Sequence, residues 1–330
     1  MTLLNCAART LAALLLAAAV AFSASAQASR EVLSQANTAL QAGEADRALA
    51  AIHSAQFSGQ DLAQAHNIEC RVRYTLEQWD AAASECQQTV NLDGQNSGYH
   101  LWLGRALGEK ADRASFLTAY SLGKRVRAEF EEAVRLNPRN AEALADLGEF
   151  YYEAPAVVGG GIDKAESVAA QLDKLDAVRA HELRGRIAEQ AKDYGTAERE
   201  LKQAIASSPH PAFQWMTLAS YYRRHERWTE MVSAVHSGAT AAERDKHAGV
   251  ALYNGASVLT RANREQALAA KMLEDYLAGS AKTEEAPAFV AHTRLARLNE
   301  QLGDAAAAKR ERAAALALAH DYRPAQESRH

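Results

Sequence analysis

A histidine, two thiols and a glycine run are the residues of this chain whose types and spacing suggest chemistry. His66 and Cys70 stand four residues apart, so on a helix they would share a face and offer two metal ligands. No second pair stands where it would complete a tetrahedral site, and packing is the stronger reading. Gly159-Gly160-Gly161-Ile162-Asp163-Lys164 has the flavour of a phosphate-binding loop, but the G-x-x-x-x-G-K-[ST] spacing is missing and no strand precedes it. It reads as a link between two helices. No G-x-S-x-G, H-E-x-x-H or S-x-x-K arrangement occurs in a suitable context, and the other histidines look scattered. The sequence therefore points to no catalytic residue, no metal and no cofactor, and to a protein that is not an enzyme.

Composition bounds the partners. The 330 residues carry a formal net charge of -4 and are 48% apolar and 24% charged. Bulk electrostatics favour neither nucleic acid nor an anionic membrane. More than a fifth of the residues are alanine, which suits closely apposed helices and suits strands poorly. Residues 1–26 hold one basic residue, Arg9, no acid, an apolar stretch from Leu11 to Phe22, and Ala24-Ser25-Ala26 before Gln27. That is the layout of a secretory signal peptide cleaved after Ala26. Its apolar core is shorter than the roughly 20 residues that span a bilayer. The expected location is periplasmic or secreted, with no membrane span after cleavage. Cys6 would leave with the leader, and Cys70 and Cys86 would meet oxidising conditions.

The elements that must position these residues are helices. From Ser29 onward, short amphipathic segments alternate with breaks that recur about every 34 residues, and no convincing period of two appears. Gly185, Tyr194, Ala197, Leu201, Ala204 and Pro209 fall at fixed offsets in one period, and Trp215, Leu218, Ala219, Tyr222 and Trp228 continue in the next. These residues resemble the tetratricopeptide repeat family, a helix-turn-helix unit with small residues at positions 8 and 20 and large apolar ones at 4, 7, 11 and 24. Other units match through Ala36, Gly43 and Ala48, through Cys70, Ala82 and Cys86, through Gly104, Phe130 and Pro138, and through Gly148 and Ala165. The seventh uses Gly255 and Ala267, the eighth Ala296, Gly303 and Ala308. The third unit carries an insertion of ten residues between Gly104 and Val126, and the fourth one of five around Pro155 and the glycine run.

The resemblance implies an all-α protein, a right-handed α-solenoid of about eight helix pairs over residues 27–320, with a frayed tail at 321–330. In such a unit Gly or Ala at 8 faces Ala at 20, so Ala48, Ala82, Ala165, Ala197, Ala267 and Ala308 mark where backbones meet. Cys70 and Cys86 take positions 8 and 24, offset by about one turn, near 5.4 Å along the axis. That is close to the limit of disulfide geometry, and a bond or two buried free thiols both remain open. Asn140, after Pro138, is an expected N-cap. The family's groove-facing positions supply Asn67, Arg71 and Tyr74; Leu101, Arg105 and nearby Glu109; Glu149 and Tyr152; Arg179, Glu182 and Arg186; then Phe213, Met216 and Arg223. The Lys/Asn pairs with which some members clamp a terminal carboxylate are not matched.

A second, weaker likeness runs from Tyr99 to Gly104, through the insertion, to Phe130–Val134, Asn137–Asn140 and Leu147–Tyr151. This stretch resembles the helical domain of the regulator of microtubule dynamics family and its bacterial relatives, and it carries over architecture only. The expectation is a periplasmic scaffold or adaptor that binds a peptide or partner protein in a concave groove. The alternative is an accessory solute-binding or transport-associated component with an enclosed pocket. The sequence does not set the oligomeric state.

Overall fold

A computed structural model describes residues 27–327. The expected leader, residues 1–26, lies outside the described residues. Within them the chain is built from eight successive antiparallel helix pairs and has no strand. The pairs are α1 (27–42) with α2 (Ala45–His53), α3 (Gly59–Thr75) with α4 (Trp79–Leu92), α5 (Ser97–Ala111) with α6 (Phe116–Leu136), and α7 (Ala141–Glu153) with α8 (Ile162–Leu172). Then follow α9 (Ala177–Gln190) with α10 (Tyr194–Ser207), α11 (Ala212–Arg224) with α12 (Trp228–Ala242), α13 (Gly249–Ala262) with α14 (Gln266–Ala278), and α15 (Ala288–Gln301) with α16 (Ala305–Leu318). A short helix, α17 (Arg323–Gln326), ends the described chain.

The local chemistry of the sequence accounts for these boundaries. Asn140 accepts from the Ala143 amide at 3.1 Å, so it caps α7 as its place after Pro138 suggests. Asp176, Asp193 and Asp304 cap α9, α10 and α16 in the same way. The ten-residue insertion adds turns to the start of α6, leaving Phe116 and Leu117 exposed, while Arg125 hydrogen-bonds Gln87 on α4. The glycine run is consumed by its own loop. Gly159 lies at φ +102°, the Gly161 amide donates to the Tyr151 carbonyl at 2.8 Å, and Lys164 Nζ donates to the Gly159 carbonyl at 2.8 Å. No free amide cradle is left for a phosphate.

Helices within a pair meet along a seam whose partners are positions 8 and 24. A Cβ on Gly104 would lie 2.4 Å from the Phe130 ring, and one on Gly185 would lie 3.0 Å from the Leu201 side chain. Cys70 and Cys86 occupy the same slot in the second unit, with Cα atoms 5.2 Å apart, and are joined in a disulfide. The offset expected from 8 facing 20 is thus absent, because position 24 is the direct neighbour of position 8. Of the seam alanines, Ala48, Ala82, Ala165, Ala197 and Ala308 are buried. Ala267 is exposed and Ala269 is fully buried in its stead, because the α13–α14 turn, with Asn263 and Glu265 both left-handed, displaces the register by two residues.

First helices also touch the first helices of the next unit, as α3 with α5, α5 with α7, α7 with α9 and α11 with α13. Among the described residues, second helices of consecutive units do not pack together to a comparable extent. The side on which neighbours crowd is the inside of the curve, so the first helices form the inner face.

The curve closes. Leu33, Leu40 and Ile52 from the first pair share one hydrophobic core with Phe289, Ala315, Ala319 and Tyr322 from the end of the chain. A Cβ on Gly43, at φ +73°, would sit 2.2 Å from the Ala288 amide nitrogen, so the turn of the first pair lies directly on the start of α15. Gln41 and Arg71 both bond Glu284, Asp46 accepts from the His320 amide at 2.9 Å, and Tyr322 donates to Glu77 at 3.1 Å. The tail expected to fray from residue 321 is therefore docked over its described part, with Tyr322 buried against Phe289.

Candidate functional site: the inner face

The inner face divides into two arcs of different chemistry. In the first, over α3, α5 and α7, the residues expected to face a ligand are engaged with one another. Arg71 pairs with Glu284, and Arg105 pairs with Asp146 at 2.6 Å and Glu142 at 2.8 Å. Both guanidiniums lie over the Trp102 ring, at 5.5 and 4.8 Å. Burial works against the charge on Arg105, but the Asp146 and Glu142 carboxylates outweigh it and hold its pKa above the ordinary value. Tyr74 meets Trp79 and Trp102 edge-on and donates to Glu109 at 3.3 Å; burial, then Glu109, raises its pKa. Leu101 and Asn67 are buried rather than displayed, since packing of α3, α5 and α7 on one another covers them.

Between the arcs sit Glu149, Tyr152 and Glu182. Burial, reinforced by Glu153 and Asp146, raises the Glu149 pKa, while Arg186 opposes the shift. Burial likewise raises Tyr152, whose hydroxyl donates to Glu153 at 3.2 Å. Glu182 is raised by burial and receives Gln214 Nε2 at 3.4 Å.

The second arc spans α9, α11, α13 and α15. These four inner helices line a cavity of about 300 Å3 that holds Arg186, Met216, Arg223, Tyr253, Arg261 and Arg294. The groove positions of the repeat include Arg186 and Arg223; Arg261 and Arg294 stand at positions 14 and 6, outside that generic set.

Sequence reasoning also missed a repeated side-chain pair. His66 meets Glu85 at 2.6 Å, His100 meets Glu129 at 2.7 Å, His181 meets Glu200 at 2.8 Å and His292 meets Glu311 at 2.6 Å. Each links the first helix of a pair to the second, from position 4 to position 23. The signal was a histidine recurring four residues before the seam residue, at Cys70, Gly104, Gly185 and Ala296. His66 is thus a helix-to-helix tie, and among the described residues no group of three or more His, Cys, Asp or Glu is placed to hold a metal ion.

Repeated antiparallel pairs, a seam from 8 to 24 and crowding of first helices on the inside decide the architecture. The fold is a tetratricopeptide-type α-solenoid. No protein-family model matches the chain, and no curated protein matches it in sequence. Among solved structures this solenoid is similar to a thermophilic tetratricopeptide repeat protein of Thermus thermophilus, at 18% identity over 58% of this chain and 97% of that one, with a TM-score of 0.48. It is similar to MamA at 16% identity, over 52% of this chain and 93% of that one, with a TM-score of 0.34. With pilF of Pseudomonas aeruginosa it shares 15% identity over 82% of this chain and 99% of that one, at a TM-score of 0.37. These are likenesses of fold alone, and no helix among the described residues is long and apolar enough to cross a membrane.

Proposed function

We propose that this solenoid is a non-enzymatic scaffold or adaptor, periplasmic or secreted, that holds a peptide or partner protein on its inner face. The observation that carries the reading is the cavity on α9, α11, α13 and α15, where charged, hydroxyl and aromatic side chains from four successive units line one concave surface. Such side chains bind extended chains by charge-assisted hydrogen bonds and stacking. The first arc, where Arg71 and Arg105 are already answered by carboxylates, supports the walls instead. A solute-binding component would need an enclosed apolar pocket, and four arginines in this cavity favour a charged partner. The Cys70–Cys86 bond, together with the leader-like residues 1–26, supports an oxidising compartment.

A photo-crosslinking residue placed at Ser220, which lines the cavity, is expected to trap a defined partner in cells, whereas the same residue at exposed Lys202 on α10 is not. Equal adducts from both positions would remove the inner face as the binding surface. Mass spectrometry of the exported protein should find its first residue to be Gln27.

A further inference from the structure

The arginine cavity differs from the rest of the inner face in having no carboxylate in its lining, although Glu149 and Glu182 act on Arg186 from beside it. Arg186, Arg223, Arg261 and Arg294 line it, and no aspartate or glutamate does. Arg186 reaches Glu189 only at 3.7 Å, and that carboxylate is already held by Arg224 at 2.7 Å and His225 at 2.9 Å. No ion pair engages Arg223, Arg261 or Arg294 among the described residues; Arg294 instead bonds Ser257 Oγ at 2.5 Å and lies over the Tyr253 ring at 4.3 Å. Arg223 Nε is buried with no hydrogen-bond partner. Burial, with Arg261 and Arg224 beside it, makes that guanidinium hold its proton less tightly than usual. Like charges gathered on a concave wall repel one another and attract anions.

The chemistry of the lining narrows the anion. A guanidinium fork matches the two oxygens of a carboxylate. Met216 and Val258 form the buried apolar floor, and half-buried Ser220 and Asn254 offer neutral hydrogen-bonding groups. One small anion would be gripped at a single point by two guanidiniums. Four of them drawn from successive helices suit carboxylates spaced along a chain.

We propose that this cavity docks an acidic peptide segment of the partner, with Arg223 and Arg261 taking its carboxylates and Arg186 and Arg294 flanking them. The proposal rests on the inner face being the peptide-binding surface and adds the class of peptide.

Calorimetry on the full exported chain with capped hexaglutamate, hexaglutamine and inorganic pyrophosphate tests it. Hexaglutamate should bind wild type, weaken with added salt, and lose roughly tenfold or more in Arg223→Gln/Arg261→Gln. A charge-matched control, Arg199→Gln/Lys309→Gln on the outer helices, should bind like wild type, and hexaglutamine should not bind. Unchanged melting of both double variants shows that the fold is intact. Equal hexaglutamate binding by wild type and the cavity variant overturns the proposal, as does pyrophosphate binding as tightly as the peptide. If hexaglutamate fails while crosslinks at Ser220 persist, the acidic class is wrong and the inner-face reading stands; if both fail, both are wrong.

Discussion

His100 shows how a single side chain ties a helix pair together. Its Nδ1 contacts Glu129 at 2.7 Å and its Nε2 contacts the Gly94 carbonyl at 3.2 Å, and the hydrogen bond to Glu129 raises its pKa despite partial burial. A raised folded value means that the stabilisation is fully present below about pH 6.5 and fades as the pH climbs through the folded pKa. His100→Gln should therefore cost about 1.5 kcal/mol near pH 5.5, the low end for a hydrogen bond to a charged group. Urea unfolding of both proteins should show the gap narrowing near pH 8.5. Lys192 makes the opposite case. It sits in the α9–α10 turn at φ +62°, at the position where the first and eighth pairs use Gly43 and Gly303. Lys192→Gly relieves a left-handed side chain and is expected to add about 0.5 to 1 kcal/mol in the same assay.

Among the elements, the second helix pair is the one held covalently. The Cys70–Cys86 bond joins α3 to α4 across 16 residues, so its reduction should lower stability by about 3 kcal/mol on loop-closure grounds. Thermal melts with and without reductant check this, and Cys70→Ser/Cys86→Ser should melt like the reduced protein. Most of the element structure was legible in the sequence because its causes are local. Pro138 and Asn140 stand within a few residues of the amide that Asn140 caps, and the spacing from Gly104 to Phe130 reveals a pair even across an insertion. Legibility failed where a turn changed length, as at Ala267, and where generic groove positions were applied to first helices that cover one another, as at Leu101 and Asn67. The histidine ties were readable but required comparing units with each other instead of searching each for a motif.

On the scale of the whole molecule the seam between the ends dominates, and nothing in the sequence announces it. Arg71 and Glu284 are 213 residues apart, and Gln41 and the same carboxylate 243, so no periodicity links them. Glu284 is mostly buried and receives both Arg71 and Gln41. Glu284→Ala would leave the Arg71 guanidinium without its partner and should cost about 2 to 4 kcal/mol. Small-angle scattering should then show a larger radius of gyration, while Glu243→Ala, outside the seam, should leave the scattering curve unchanged. An open solenoid can gain or lose a repeat and merely become longer or shorter, because each unit contacts only its neighbours. Here the docking of Asp46 on His320 and of Gly43 on Ala288 makes the number of units a fixed quantity. Duplicating one pair, such as α9 with α10, would not extend this protein but unclasp it.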